Sequence, residues 1–196
     1  MKRSLQNVSL LLALGAICAA AETSYWIEPC TNAATGCVAA DTDLARWALS
    51  AWQTASGGKL QFVETKDKAH ALLRIVWADQ TDGLYGEAVP IMVEGRRGAQ
   101  LNVRIADGGT NADGKRDVLL RDTIVYLTCL HESGHALGLP HTAAFADIMY
   151  SFQYGGDITE YFGRYRRKLA ARDDIRKFSG ISDADRARLT EILKER

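Results

Sequence analysis

The sequence predicts a single α+β domain, and three observations carry that reading. Short runs rich in branched and aromatic residues recur between residues 25 and 105, and longer stretches carry apolar residues at helical spacing. No internal repeat, low-complexity tract or Pro/Gly/Ser linker divides the chain. Its 196 residues are 47% hydrophobic and 24% charged with only 3 prolines, a composition that excludes a disordered protein. Lys+Arg and Asp+Glu balance at 24 each, so the surplus of cations that a nucleic-acid partner demands is missing.

Residues 1–21 start with Lys2 and Arg3, continue in an apolar run from Val8 to Ile17, and end in Cys18-Ala19-Ala20-Ala21. This order of charge, apolar core and small residues predicts a signal peptide cut after Ala21, and so a secreted or periplasmic protein. The apolar run is too short for a transmembrane anchor of about 20 residues. Bulky Ile17 before Cys18 argues against lipidation there. The remaining domain, residues 22–196, loses two basic groups and no acidic ones, leaving 22 against 24 and a net charge of −2. It also loses Cys18. Cys30 and Cys37 share a Thr/Asn/Gly loop in a chain bound for an oxidising compartment, so a disulfide between them is expected. Cys129 then reads as a buried thiol that packs like a small hydrophobe.

Tyr25–Ile27 reads as a short strand. Asp41–Ala55 places Leu44, Trp47, Ala48, Ala51 and Trp52 at helical spacing, with Asp or Thr to cap its start and Ser56-Gly57-Gly58 to end it. Leu60–Glu64 and Ala71–Trp77 read as strands, the second buried on both faces. Two more are expected at Tyr85–Val93 and Ala99–Ile105, joined by the turn Glu94-Gly95-Arg96-Arg97-Gly98. Asp107–Gly114 has the composition of a calcium loop. Gly109 and Leu120 stand where the first and last carboxylates of an EF-hand belong, so structural calcium has no support and the segment reads as a loop. A helix starts between Asp117 and Thr123 and runs to about Leu137. A last helix follows Ser182, with early acidic residues and Ile181, Leu189, Ile192 and Leu193 for its apolar face.

The chemistry lies at the end of the Asp117–Leu137 segment, in His131-Glu132-Ser133-Gly134-His135. Histidines at i and i+4 share one helix face, so both imidazoles can bind one ion, with Glu132 beside them to handle a bound water. Gly138 can take the left-handed conformation that stops the helix, after which Leu139-Pro140 deliver His141 as a third ligand. Three histidines leave a fourth position open, the mark of a catalytic zinc site.

His131-Glu132-x-x-His135-x-x-Gly138-x-x-His141 resembles the metzincin metallopeptidase motif, and Asp147-Ile148-Met149-Tyr150 is similar to the Met-turn of that clan, with Met149 beneath the metal. Ala51-Trp52, Leu60-Gln61-Phe62, Thr142, Ile148-Met149-Tyr150 and Ser182-x-x-Asp185-x-x-Arg188-Leu189 most resemble the matrixin, or matrix metalloprotease-like, branch. The resemblance implies a twisted, mostly parallel sheet of about five strands with an antiparallel edge strand and three main helices. It implies a zinc metalloendopeptidase with one catalytic Zn2+ on His131, His135 and His141 and Glu132 as general base and acid. A monomer acting on a peptide or protein substrate is expected. The substrate would pair with the edge strand Leu84–Pro90, in contact with Leu84, Tyr85, Gly86, Glu87 and Ala88. A non-catalytic zinc-binding interaction domain and a zinc amidase acting on cell-wall peptides are the alternatives; the intact Glu132 argues against the first.

Departures from the branch carry expectations of their own. His70 is the one histidine outside the motif, so a second, structural zinc is not expected. The first strand begins close to the cleavage site and Cys30 is committed to Cys37, so no cysteine latch on the zinc is expected. Ser151 occupies the position where some metzincins place an oxyanion-assisting tyrosine, and neither Tyr150 nor Tyr154 is given a catalytic role. Residues 157–180 read as an insertion. From Arg164 to Lys177, seven basic residues face only Asp173 and Asp174. This segment reads as an amphipathic helix burying Tyr161, Phe162, Tyr165 and Leu169. Alternatively, it is a cationic wall that favours acidic substrates or an anionic surface.

Overall fold

The computed structural model describes residues 21–79, 85–111 and 113–195. Residues 1–20 of the expected leader (1–21) and Leu84 of the expected substrate strand lie outside the described residues. Strands β1 (Ala21–Ile27), β2 (Leu60–Glu64), β3 (Leu73–Ala78), β4 (Gly86–Val93) and β5 (Arg96–Arg104) form one sheet in the order β2-β1-β3-β5-β4. All pairs are parallel except β4 with β5, which makes β4 an antiparallel edge strand. The α+β prediction and the sheet implied by the resemblance are both observed. Helices α1 (Asp41–Ala55), α2 (Val118–Ala136) and α4 (Asp183–Ile192) are the three main helices, and α3 (Ile158–Arg166) adds a fourth from the segment read as an insertion.

The core lies between the sheet and α1 and α2. Leu44, Leu49 and Trp52 of α1 meet Ile75, Leu101 and Val103 of the sheet and Val125 and Leu130 of α2. Trp52 is fully buried, and its indole N–H donates to the Leu130 carbonyl at 2.9 Å, which pins α1 to the helix that carries the histidines. A buried indole needs such a partner, and truncating a residue of this kind to alanine costs about 3–5 kcal/mol.

Three local readings change. β3 alternates instead of burying both faces: Leu73, Ile75 and Trp77 enter the core while Arg74, Val76 and Ala78 are half-buried. The turn between β4 and β5 contracts to Glu94-Gly95, with φ of 50° and 76°, because a two-residue hairpin with both φ positive matches the twist of its strands. Gly98 therefore lies inside β5, where a Cβ would sit 2.3 Å from the Leu72 carbonyl oxygen. The start of α1 has Ala40 at the cap with no side-chain hydrogen bond. Asp41 is instead buried and receives both guanidinium nitrogens of Arg121 at 2.7 Å. The start of α4 follows expectation, with Ser182 and Asp185 forming a reciprocal capping box.

Cys30 and Cys37 are joined as expected, and closing so short a loop contributes about 2–3 kcal/mol through the unfolded chain. Cys129 is buried in α2, and burial pushes its thiol far up, as fits an inert packing role. No helix among the described residues is long and apolar enough to cross a membrane.

Candidate metal centre and active site

The last two turns of α2 place His131 and His135 on one face. Gly138 follows with φ 96°, and its N–H returns to the His135 carbonyl at 2.9 Å, so the helix stops where the left-handed residue was expected. Thr142 then pairs with the turn that holds Met149, its N–H donating to the Met149 carbonyl at 2.8 Å. This pairing fixes His141 opposite the helix. The three histidines that spacing singled out thus come together.

Their Nε2 atoms lie 3.0, 3.1 and 3.2 Å apart. A tetrahedral zinc with Zn–N bonds of about 2.0–2.1 Å needs ligand atoms separated by roughly 3.3 Å. The tautomers fit as well. Nδ1 of His131 faces the Ile148 carbonyl at 2.6 Å and Nδ1 of His135 faces the Leu139 carbonyl at 2.9 Å. Each carbonyl requires the proton on Nδ1, which leaves an Nε2 lone pair directed at the common centre. Converging lone pairs repel unless a cation lies between them. Burial pushes the His131 pKa down to about 4 against the pull of the Ile148 carbonyl, and burial also lowers His135, so both rings are neutral and ready to ligate at pH 7.

Glu132 is buried beside them, and burial first, then the charge of Glu87, raises its carboxyl pKa to about 7, with Arg104 opposing. It lies against β4. A Cβ on Gly86 would come within 2.8 Å of both Glu132 Cγ and Oε1. Gly86 is therefore a residue of close approach between the edge strand and the glutamate, a role that sequence reading did not give it. Gly134 is similar: a Cβ there would meet the Met149 sulfur at 2.4 Å, so the methionine turn packs directly under the helix.

That turn is held from two sides. Asp147 accepts from Thr142 Oγ1 at 3.0 Å, from Ser182 Oγ at 2.7 Å and from Arg188. The Ile148 N–H donates to Asp185 at 2.7 Å. Sequence reading quoted Asp147 and Asp185 within motifs but gave neither a task. Tyr150 donates to the Gly155 carbonyl at 2.5 Å and Tyr154 is exposed, so neither hydroxyl points to a catalytic task.

A cavity of about 590 Å³ opens beside the histidines. Tyr85, Gly86, Glu87 and Ala88 of the expected substrate strand line it together with Tyr150, Phe152, Ile158, Tyr161 and Phe162, and the rings of Tyr85 and Phe162 meet edge-on at 5.0 Å. None of the seven basic residues from Arg164 to Lys177 lines it, which corrects the cationic-wall reading. Six of them have partners elsewhere. Arg166 pairs with Asp117 at 3.0 Å, Arg172 with Asp122 at 3.0 Å, Arg167 with Glu160 at 2.5 Å and Lys177 with Asp174 at 2.7 Å. Arg164 lies over Phe145 and Tyr161, and Arg176 over Trp47. The amphipathic reading holds: Tyr161, Phe162, Tyr165 and Leu169 are buried. His70 is remote, exposed and placed between Asp67 at 2.7 Å and Glu94 at 3.1 Å; its bond to Asp67 raises its pKa.

A mostly parallel sheet with one antiparallel edge strand above a helix-borne histidine cluster defines the class, a zinc metallopeptidase domain. The matrixin family model matches residues 20–160, most of the chain, and the chain belongs to that family. A search of curated proteins finds no match.

Proposed function

We propose that this protein is an exported zinc-dependent endopeptidase, folded as one domain over residues 22–196 after removal of its leader. The observation that carries the reading is the convergence of His131, His135 and His141 Nε2 atoms at 3.0–3.2 Å beside a glutamate whose pKa is raised to about 7. His131, His135 and His141 would hold zinc, which would supply a Lewis acid for the scissile carbonyl and lower the pKa of a water towards neutrality. Glu132 accepts the proton of the attacking water and returns it to the leaving amine. A buried carboxylate beside the reacting water is placed for both transfers.

The substrate backbone pairs with the edge strand β4 from Gly86 onward, as a peptide adds to an open sheet edge. The side chain after the scissile bond enters the cavity. Its Tyr150, Phe152, Ile158, Tyr161 and Phe162 wall favours a large apolar side chain over an acidic one, and Glu87 at its rim disfavours acidic neighbours further. Cys30–Cys37 is consistent with export to an oxidising compartment.

A peptide-library cleavage assay with and without a zinc chelator tests the proposal. Cleavage before large apolar residues that stops on chelation is expected. A protein that binds zinc and cuts no peptide would instead be a binding domain. The variant Glu132→Ala should lose turnover while retaining zinc; retained proteolysis would sink the mechanism.

A further inference from the structure

The segment after the methionine turn reaches the metal centre through one side chain. Tyr161, in α3, is the first residue beyond the span that the family model matches. Its hydroxyl lies 3.0 Å from the Asp147 carbonyl and 3.2 Å from the Ile148 carbonyl, with the oxygen as donor to both. The Asp147 carbonyl and the Ile148 N–H belong to one peptide unit. Tyr161 holds one edge of that unit and Asp185, accepting from the Ile148 N–H at 2.7 Å, holds the other. The next carbonyl, that of Ile148, takes the Nδ1–H of His131.

The ring of Tyr161 is itself fixed. It stacks on Tyr150 at 5.9 Å and meets Phe145, Phe152 and Phe162 edge-on at 5.5, 5.2 and 5.4 Å. Arg164, one turn further along α3, lies 4.4 Å above it. Such contacts leave the hydroxyl a single direction, and burial keeps the phenol protonated as a donor.

We propose that Tyr161 is a positioning residue for the metal ligand His131, fixing the Asp147–Ile148–Met149 backbone so that the Ile148 carbonyl sets the plane and tautomer of the imidazole. Outer partners of this kind orient a ligand and commonly govern metal affinity by about 10–100-fold. The same ring lines the cavity, so one side chain both shapes the substrate wall and steadies the metal ligand.

This inference rests on the zinc-site reading, which is tested separately: the unsubstituted protein should bind one zinc per chain, and His131→Ala should lose it. Given that binding, chelator competition should show Tyr161→Phe holding zinc about tenfold more weakly, at the low end of that range. The His131 Nδ1–H resonance should also shift. Tyr165→Phe is the control. Its hydroxyl serves the Phe178 and Ile175 carbonyls from the same helix, so it should lose stability and leave zinc affinity unchanged. Zinc affinity of Tyr161→Phe within twofold of the unsubstituted protein, or an unmoved His131 resonance, overturns the proposal. Should Tyr161→Phe not fold, 3-fluorotyrosine at position 161 keeps the ring and hydroxyl but strengthens the donor, and an unmoved His131 resonance overturns it equally.

Discussion

Two buried carboxylates serve the histidine cluster from opposite regions of the molecule, and burial acts on them in opposite directions. Glu132 sits on α2 facing the cavity, and none of the hydrogen bonds found among the described residues reaches its carboxylate. Burial therefore lifts its pKa to about 7. Asp147 sits in the turn below, and burial pushes it up as well. Ser182, Arg188 and Thr142 together more than offset that push and hold it below the usual carboxylate range. The difference lies in the donors. A carboxylate with three donors is a fixed anion that holds backbone in place, whereas one without donors keeps its proton equilibrium available for chemistry.

The comparison is broken most severely by removing the reactive member. Replacing Glu132 with Gln preserves shape and burial but removes the proton acceptor. Turnover should fall by about 10²–10⁴, the usual worth of a general base, with zinc content unchanged in a metal analysis. Removing the fixed member should act on stability. Asp147→Ala leaves Thr142 without its acceptor and takes one of two acceptors from Ser182 and Arg188, which keep Asp185. A fully buried pair broken this way costs about 3–5 kcal/mol; with Arg188 33% exposed, a loss of about 2–3 kcal/mol is expected in urea unfolding.

A smaller perturbation sharpens the comparison by moving Glu132 without changing it. The Cβ of Gly86→Ala would fall 2.7 Å from Thr128 Cγ2 and 2.8 Å from both Glu132 Cγ and Oε1, so the glutamate must swing aside and the stiff, branched threonine or β4 must also give way. We expect kcat to drop about tenfold, since a misplacement of about 1 Å is enough for such a loss, together with a stability loss of about 1–3 kcal/mol from the overpacked threonine. A protein that loses stability but not kcat would show that β4, and not the carboxylate, had moved.

Much of this was legible in the sequence because it is local. The limits of α1, the Ser182 cap of α4, the histidine spacing and the left-handed Gly138 all depend on residues within a few positions of one another. What escaped was long-range. Arg166 and Arg172 looked like free cations because their partners Asp117 and Asp122 lie 49 and 50 residues earlier, at the start of α2. Tyr161 read as a buried apolar residue, and nothing near it in sequence shows that its hydroxyl reaches the peptide behind His131. Gly86 gave no signal either, since its constraint is a side chain that arrives from another element.

The smallest expected effect separates the two regions by pH in the metal-stripped protein. Glu132 has its folded pKa raised from 4.5 to about 7, so the stability it contributes is full below 4.5 and is lost as pH rises through 7. His131 has its folded pKa lowered from 6.5 to about 4, so its contribution is full above 6.5 and is lost as pH falls through 4. Between pH 4.5 and 6.5 the two slopes oppose. Asp147, depressed below 3.8, plays no part in that window and acts only in stronger acid. His135, also lowered by burial, adds to the His131 slope, so stability of the stripped protein in urea should rise with pH across the window, but less steeply than the two histidines alone would make it. Glu132→Gln should uncover the histidine slope, with stability rising toward pH 6.5 by up to about 1.4 kcal/mol per pH unit for each proton. An unchanged slope in the variant would mean that Glu132 carries no proton there in the folded state, and that donors absent from its surroundings do not distinguish it from Asp147.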